Sequence, residues 1–311
     1  MGDAAPAKPY SERNAETVRA RRIALPPLIR AMRPLQWSKN SLVFAALLFD
    51  KRVFQWDALW HTLAAAMVFS AVSSAIYLVN DVRDVEQDRL HPKKRFRPIA
   101  SGEVSPGQAM RVAVALLTVG LITAVAVRPE FAIVIVAYIA LMLAYSYGLK
   151  RMVILDVFAI AAGFVLRAVG GAVAIDVPAS PWLYVCTALG ALFIGFGKRR
   201  NEIVTLEAAA GQHRANLEDY NLPMLDQIIA IVSAAMLIAY SLYTFDAANV
   251  PSSHAMMLTI PYVAYGLFRY LYLIYRRGEG GSPEVLLIKD PGLISCIVGW
   301  VATSLIILYL S

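Results

Sequence analysis

The sequence predicts an all-α integral membrane protein, a bundle of nine transmembrane helices, and three observations predict it. Of the 311 residues, 59% are hydrophobic and only 16% are charged, whereas soluble domains carry about 25% charged residues. The apolar residues gather into nine long stretches, most of them near the roughly 20 residues that one helical crossing of a bilayer needs. The lysines and arginines fall almost entirely into alternate connections between those stretches. A mean hydropathy of +0.57 agrees. Disordered, collagen-like and disulfide-scaffold classes are excluded on the same composition. Cys186 and Cys296 each sit in an apolar stretch and suggest no disulfide framework. The four histidines, His61, His91, His213 and His254, are far apart and argue against a metal centre built on imidazole. A net charge of +7 in so apolar a chain is a topology signal before it is a nucleic-acid footprint, so no nucleic-acid partner is expected.

Residues 1–27 form a polar, basic tail with Arg13, Arg19, Arg21 and Arg22, and this tail lacks the apolar core and small-residue cleavage site of a signal peptide. Residues 28–311 form one membrane domain. Its spans are expected at 34–49, 57–82, 107–127, 129–149, 152–175, 179–199, 225–246, 255–275 and 291–310, the first being short. Helices are indicated because membrane strands would read as alternating segments of about ten residues. With the N-terminus inside, the inner segments hold 22 of the 29 lysines and arginines and the outer loops hold three, Lys51, Arg52 and Arg128. That asymmetry places the N-terminus in the cytoplasm and the C-terminus outside. The two long inner loops, 83–106 and 200–224, are where chemistry is expected, facing the cytoplasm from a bacterial inner membrane.

The second span ends in Asn80-Asp81-Val82-Arg83-Asp84-Val85-Glu86-Gln87-Asp88. On one helix Asn80, Asp84 and Asp88 stand at i, i+4 and i+8, and Asp81 lies on the same face. Three carboxylates and an amide repel one another unless a cation lies between them. Hard oxygen donors with spare coordination positions suit Mg²⁺, which takes a few carboxylates together with substrate phosphate oxygens. Lys93, Lys94, Arg95 and Arg97 follow at once. Both signs of charge in one place fit a metal with a phosphate-bearing substrate, although a solvated helix end and basic residues serving topology alone give the same letters.

Asn80-Asp81-x-x-Asp84-x-x-x-Asp88 followed by Arg97-Pro98-Ile99-Ala100-Ser101-Gly102 resembles the first motif of the UbiA-type intramembrane prenyltransferase superfamily. The nine-helix count and the polar inner face are similar too. The resemblance implies that this motif binds a diphosphate donor through Mg²⁺, with metal ligands at Asn80, Asp81, Asp84 and Asp88. Where ordinary members carry a second aspartate-rich motif, after the sixth span, this chain has Gly197-Lys198-Arg199-Arg200-Asn201-Glu202, so a second metal held by two aspartates is not expected. Cations in that place suit a donor with an additional phosphate. Gly148-Leu149-Lys150, Leu166-Arg167-Ala168, Arg33-Pro34-x-Gln36-Trp37-x-Lys39-Asn40 and Gly280-Gly281-Ser282-Pro283-Glu284 are similar to the phosphoribosyltransferase branch of that superfamily, which acts on decaprenyl-type phosphates.

That branch implies transfer of 5-phosphoribosyl from phosphoribosyl pyrophosphate to a polyprenyl phosphate. The acceptor is already an anion, so no general base is needed. Asp81 and Asp84 are expected to act through Mg²⁺, and Asp156 or Glu202 to stabilise positive charge developing on the ribose, by analogy with glycosyl transfer. Lys94, Arg95, Arg97, Lys150, Lys198 and Arg199 are the expected phosphate contacts. Lys39 is either a contact for the acceptor phosphate or a lysine reaching up to the interface. Tyr147 either touches substrate or belongs to the interfacial aromatics. Arg167, deep in a span, either reaches the site or holds a neighbouring helix. Gly170-Gly171 reads as a place of close helix packing. The alternatives are an aromatic-acceptor prenyltransferase using prenyl diphosphate, and a non-enzymatic anion transporter. A homo-oligomer is compatible with the sequence, which fixes no oligomeric state.

Overall fold

The computed structural model describes residues 25–92, 94–208, 219–247 and 250–310. The basic tail through residue 24, Lys93 and the stretch 209–218 of the second inner loop lie outside them. Every regular element among the described residues is helical. Eight helices are long and apolar enough to cross a membrane. In chain order the helices are α1 (Pro27–Ala31), α2 (Ala45–Phe49), α3 (Trp56–Arg83), α4 (Val85–Leu90), α5 (Pro106–Val127), α6 (Pro129–Tyr147), α7 (Leu155–Ala174), α8 (Pro181–Ala208), α9 (Leu222–Asp246), α10 (Ile260–Arg277), α11 (Pro283–Lys289) and α12 (Pro291–Leu310). Proline stands at the first turn of α5, α6, α9, α10 and α11, where its missing N–H leaves no helical bond unmade.

The first expected span takes a different form. It is a 3₁₀ helix over Pro34–Phe44 that passes into the short α2. The Ser38 hydroxyl donates to the Leu35 carbonyl within the segment, and Arg33 enters in the left-handed region at φ 56°. The tighter helix rises about 2.0 Å per residue against 1.5 Å for an α-helix. The segment therefore reaches roughly 30 Å, close to the thickness of a hydrocarbon core, with fewer residues than an α-helix would use. At one end Arg33 bonds Asp81 beside the last turn of α3. Beyond its other end Arg52 donates to the carbonyl of Ile175 after α7. Arg33 and Asp81 mark what is called here the polar end. At the opposite end of the bundle, near Leu310, the Tyr309 hydroxyl accepts a bond from the Val53 amide.

Two apolar cores flank the middle of the bundle. One, around Phe69, Phe131 and Tyr138, joins α3, α5, α6 and α7. The other, around Phe196, Leu225, Ile229 and Leu273, joins α8, α9 and α10 to Val157 and Ala161 of α7. Helix α7 belongs to both and is drawn against its neighbours by glycine. A Cβ on Gly171 would lie 2.0 Å from the Val43 carbonyl oxygen, and one on Gly170 would lie 2.7 Å from the Phe69 ring. Gly171 thus lets the 3₁₀ segment touch α7 backbone to backbone, and Gly170 makes room for the Phe69 ring of α3. Gly171→Ala is expected to lower the thermal midpoint in detergent, at a cost of about 1–3 kcal/mol for overpacking. Gly107→Ala, whose Cβ would meet nothing within 4 Å, should leave the midpoint in place.

Candidate active site

Two carboxylate clusters form at the polar end, and in each an arginine lies between acids. The first grows from α3, which carries Asp81 on its last turn and bends at Asp84 into α4. The four polar groups of the motif are therefore not arrayed along one straight helix. The bend brings Asp81 and Asp88, 3% and 2% exposed, onto the same nitrogen of Arg97, at 3.0 and 2.6 Å. Arg33 adds a second cation at 2.6 Å from Asp81 and lies over the Tyr77 ring. Lys94 stands 3.9 Å from Asp88. Asp84 faces elsewhere, bonded by Arg83 at 2.9 Å and approached by Lys150 at 3.8 Å. Asn80 is half-buried on the last turn of α3, and its carbonyl accepts the Asp84 amide. Arg95 is exposed over Phe96, and Tyr147 is exposed beneath the guanidinium of Arg83.

The second cluster joins α7 and α8. Asp156, fully buried at the first turn of α7, accepts from Arg199 at 2.7 Å, from the Tyr220 hydroxyl at 2.9 Å and from the Val157 amide at 2.9 Å. Arg199, 4% exposed, also holds Glu202 at 2.5 Å. Tyr220 accepts the amide of Ile154, which sits at φ 67°, a conformation unusual for a β-branched residue. Burial pushes the Tyr220 hydroxyl above its usual range, so it remains a donor to Asp156.

A cavity of about 1260 Å³ opens between the 3₁₀ segment, α8, α9 and α12. Lys39, Tyr145, Lys198, Arg199 and Glu202 line it at the polar end, and Leu42, Phe164, Ile194 and Met236 continue it as an apolar shaft. Trp182 and Trp300 lie further along toward the opposite end. Lys198 forms no ion pair among the described residues. Asp81, Asp84, Asp88 and Asp156 are outside the lining. The end of α6 and the turn after it link the two regions, because Tyr145 lines the cavity, Tyr147 stacks under Arg83 and Lys150 pairs with Asp84.

Arg167 is not brought to either cluster, nor to the cavity. It is 6% exposed and donates to Asn40 at 2.8 Å, to the Gly163 carbonyl at 2.8 Å and to the Tyr138 hydroxyl at 2.7 Å. Three neutral acceptors on three elements satisfy it, so of the two expectations for this residue the geometry matches the holding of a neighbouring segment. Asp156 likewise reaches the cavity only through Arg199. Sequence reasoning gave no role to Arg33 or Tyr220. Arg33 carried a signal in the Arg33-Pro34 opening, whereas Tyr220, one of 15 tyrosines, carried none.

The carboxylates of the first cluster fit a divalent cation by their chemistry, and Arg97 stands between two of them as a cation already does. No three His, Cys, Asp or Glu side chains among the described residues form a cage of their own. Mg²⁺ is held by one or two carboxylates with water and substrate phosphate completing its shell, and Asp81 and Asp88 are the two that converge here. Burial works against ionisation of Asp84, but the Arg83 hydrogen bond and the charges of Lys150, Arg83 and Lys94 outweigh it and hold its carboxyl below the usual carboxylate range. A depressed pKa gives stability that is present above the unfolded value, near 3.9, and lost as pH falls through the lower folded value. Thermal midpoints measured from pH 7 to pH 3 should therefore fall less steeply at the acid end in Asp84→Asn than in the unchanged protein.

Residues 41–287 match the UbiA prenyltransferase family. The chain is 36% identical over 280 residues to the decaprenyl-phosphate phosphoribosyltransferase of Mycobacterium tuberculosis, covering 89% of this chain and 92% of that one. It is 37% identical over 289 residues to the protein of the same name from Corynebacterium glutamicum, covering 91% and 87%. In fold it is similar to a UbiA homolog from Archaeoglobus fulgidus solved with GPP and Mg²⁺, with a TM-score of 0.67 and 18% identity over 91% of this chain and 99% of that one.

Proposed function

Since the chain belongs to the UbiA prenyltransferase family, a family of multi-pass membrane enzymes, we propose that it transfers 5-phosphoribosyl from phosphoribosyl pyrophosphate to a decaprenyl-type polyprenyl phosphate, releasing pyrophosphate. One observation carries the reading: a long apolar cavity ends at Lys39, Lys198 and Arg199, beside a separate carboxylate pair. A polyprenyl phosphate has that shape, an apolar tail with one anionic head. The relatives named as decaprenyl-phosphate phosphoribosyltransferases, similar over about nine tenths of the chain, support the same donor and acceptor.

In this reading the acceptor tail occupies the shaft and its phosphate is held by Lys39 and Lys198. An oxygen of that phosphate forms a bond to C1 of the ribose as the bond from C1 to the pyrophosphate oxygen breaks. The attacking oxygen carries charge at neutral pH, so no side chain has to remove a proton. Asp81 and Asp88, with Asp84 and Asn80 alongside, would hold Mg²⁺, which when bound supplies positive charge to the diphosphate. Lys94, Arg95, Arg97 and Lys150 surround that position and bind the donor phosphates. Glu202, facing the cavity with Arg199, is placed to stabilise positive charge on the ribose, and Asp156 orients Arg199. The polar end faces the cytoplasm of a bacterial cell, where the phosphorylated donor is soluble.

The test is transfer of radiolabel from phosphoribosyl pyrophosphate to a polyprenyl phosphate by the purified protein in detergent. A labelled lipid whose formation stops with EDTA is expected. Consumption of a prenyl diphosphate with an aromatic acceptor, without ribosyl transfer, would overturn the reading. Asp81→Asn should reduce turnover by about 10²-fold or more, the scale of losing one electrostatic stabiliser of the transition state. Lys198→Gln should raise the KM for the lipid roughly ten-fold with a smaller effect on kcat, as the loss of one charged contact predicts.

A further inference from the structure

The two arginines that bridge carboxylates differ in how they are held. Arg199 is 4% exposed, lies on a long helix and uses two different nitrogens for its two acids. Arg97 is 29% exposed in its side chain and presents the single nitrogen Nη1 to both Asp81 and Asp88. One nitrogen between two buried carboxylate oxygens is the arrangement of a point cation rather than of a guanidinium fork, whose strength lies in two parallel bonds to one acid. The backbone beneath Arg97 is fixed, since Pro98, Ile99 and Ala100 are buried and the Arg97 carbonyl accepts the Ser101 amide at 2.8 Å. Its side chain is free at the outer side, where Lys94, Arg95 and Phe96 are exposed. Arg33 and Arg97 match the two charges of Asp81 and Asp88 in this state, and Lys94, 3.9 Å from Asp88, adds one positive charge at the edge of the pair.

We propose that Arg97 is a placeholder cation, which leaves Asp81 and Asp88 when a divalent ion takes its position and turns its guanidinium onto the donor's diphosphate. The inference rests on the reading of Asp81 and Asp88 as the cation site of the transferase. Exchange of a single charge for a double one raises the positive charge on Asp81 and Asp88 by one and frees an arginine, both directed at an anion. Arg97 therefore makes the two ligands interdependent. It weakens the binding of a cation alone and strengthens the binding of the cation with diphosphate, so the site closes only on the pair.

The experiment measures Mn²⁺ binding to the purified full-length protein by electron paramagnetic resonance, with and without inorganic pyrophosphate. In Arg97→Gln, Mn²⁺ alone should bind roughly ten-fold more tightly than in the unchanged protein, and the enhancement of Mn²⁺ affinity by pyrophosphate should fall about ten-fold. Arg97→Lys, which keeps the charge, guards against a folding defect and should lie between the two. Asp81→Asn should lose Mn²⁺ in every background. If Arg97→Gln binds Mn²⁺ equally or more weakly while Asp81→Asn abolishes binding, the placeholder is overturned and the metal reading stands. If Mn²⁺ binds none of the proteins, or binds Asp81→Asn unchanged, both fall.

Discussion

Charge cannot lie in hydrocarbon or in a protein interior unaccompanied, and the arrangement of this bundle follows from how each buried ion is accompanied. Asp81 and Asp88 are held by arginines from two other segments, one preceding the 3₁₀ helix and one in the turn after α4. Asp156 ties α7 to α8 through Arg199 and to the chain before α9 through Tyr220. Arg167 has only neutral dipoles, and it draws them from α6, α7 and the 3₁₀ segment. Each ion is thus also a joint between segments distant in sequence, and together they fix the polar end on which the chemistry would act.

Under the proposed reaction, the cavity and the first carboxylate cluster would divide a substrate problem that is difficult in one site. A lipid phosphate needs an apolar shaft and a few cations at its head, whereas a diphosphate donor needs dense charge of both signs. The fold separates them by placing the cavity among the 3₁₀ segment, α8, α9 and α12, and the first cluster around the end of α3. Tyr145, Tyr147 and Lys150 run between them at the end of α6.

Much of this was legible before the structure. Long apolar runs have no other stable use at this length, so nine spans were expected, and eight of the described helices are long and apolar enough to cross. The acidic spacing expected one shared face, whereas Asp81 and Asp88 meet on Arg97 and Asp84 turns to Arg83 and Lys150. The glycine pair of α7 read as close packing; Gly171 packs against the Val43 carbonyl and Gly170 against the Phe69 ring. What could not be read was partnership across the chain. Asp156 and Arg199 are 43 residues apart, and Asp156 and Tyr220 are 64 apart; no local pattern encodes either contact. The bend at Asp84 and the 3₁₀ form of the first span also escaped, because periodicity reports where apolar residues recur and not the pitch at which the backbone winds. Arg167 escaped for another reason: a deep charge signals importance without saying whether its partner is a substrate or a neighbouring segment.

The pitch of that first segment sorts its residues in a way an α-helix would not. At three residues per turn, side chains three apart eclipse one another. Lys39, Leu42 and Ala45 therefore form one column, and all three line the cavity. Asn40, Val43 and Ala46 form a second column, and all three are buried. Ser38 and Ser41 lie on the third, exposed, and they border the cavity beside the first column. An α-helix drifts by 100° per residue, whereas this segment stacks its side chains in three columns up to Phe44. Loss or gain of a single residue between Lys39 and Val43 would rotate everything beyond it by a full column, exchanging lining for core. Length in this stretch is therefore as much a part of its information as composition.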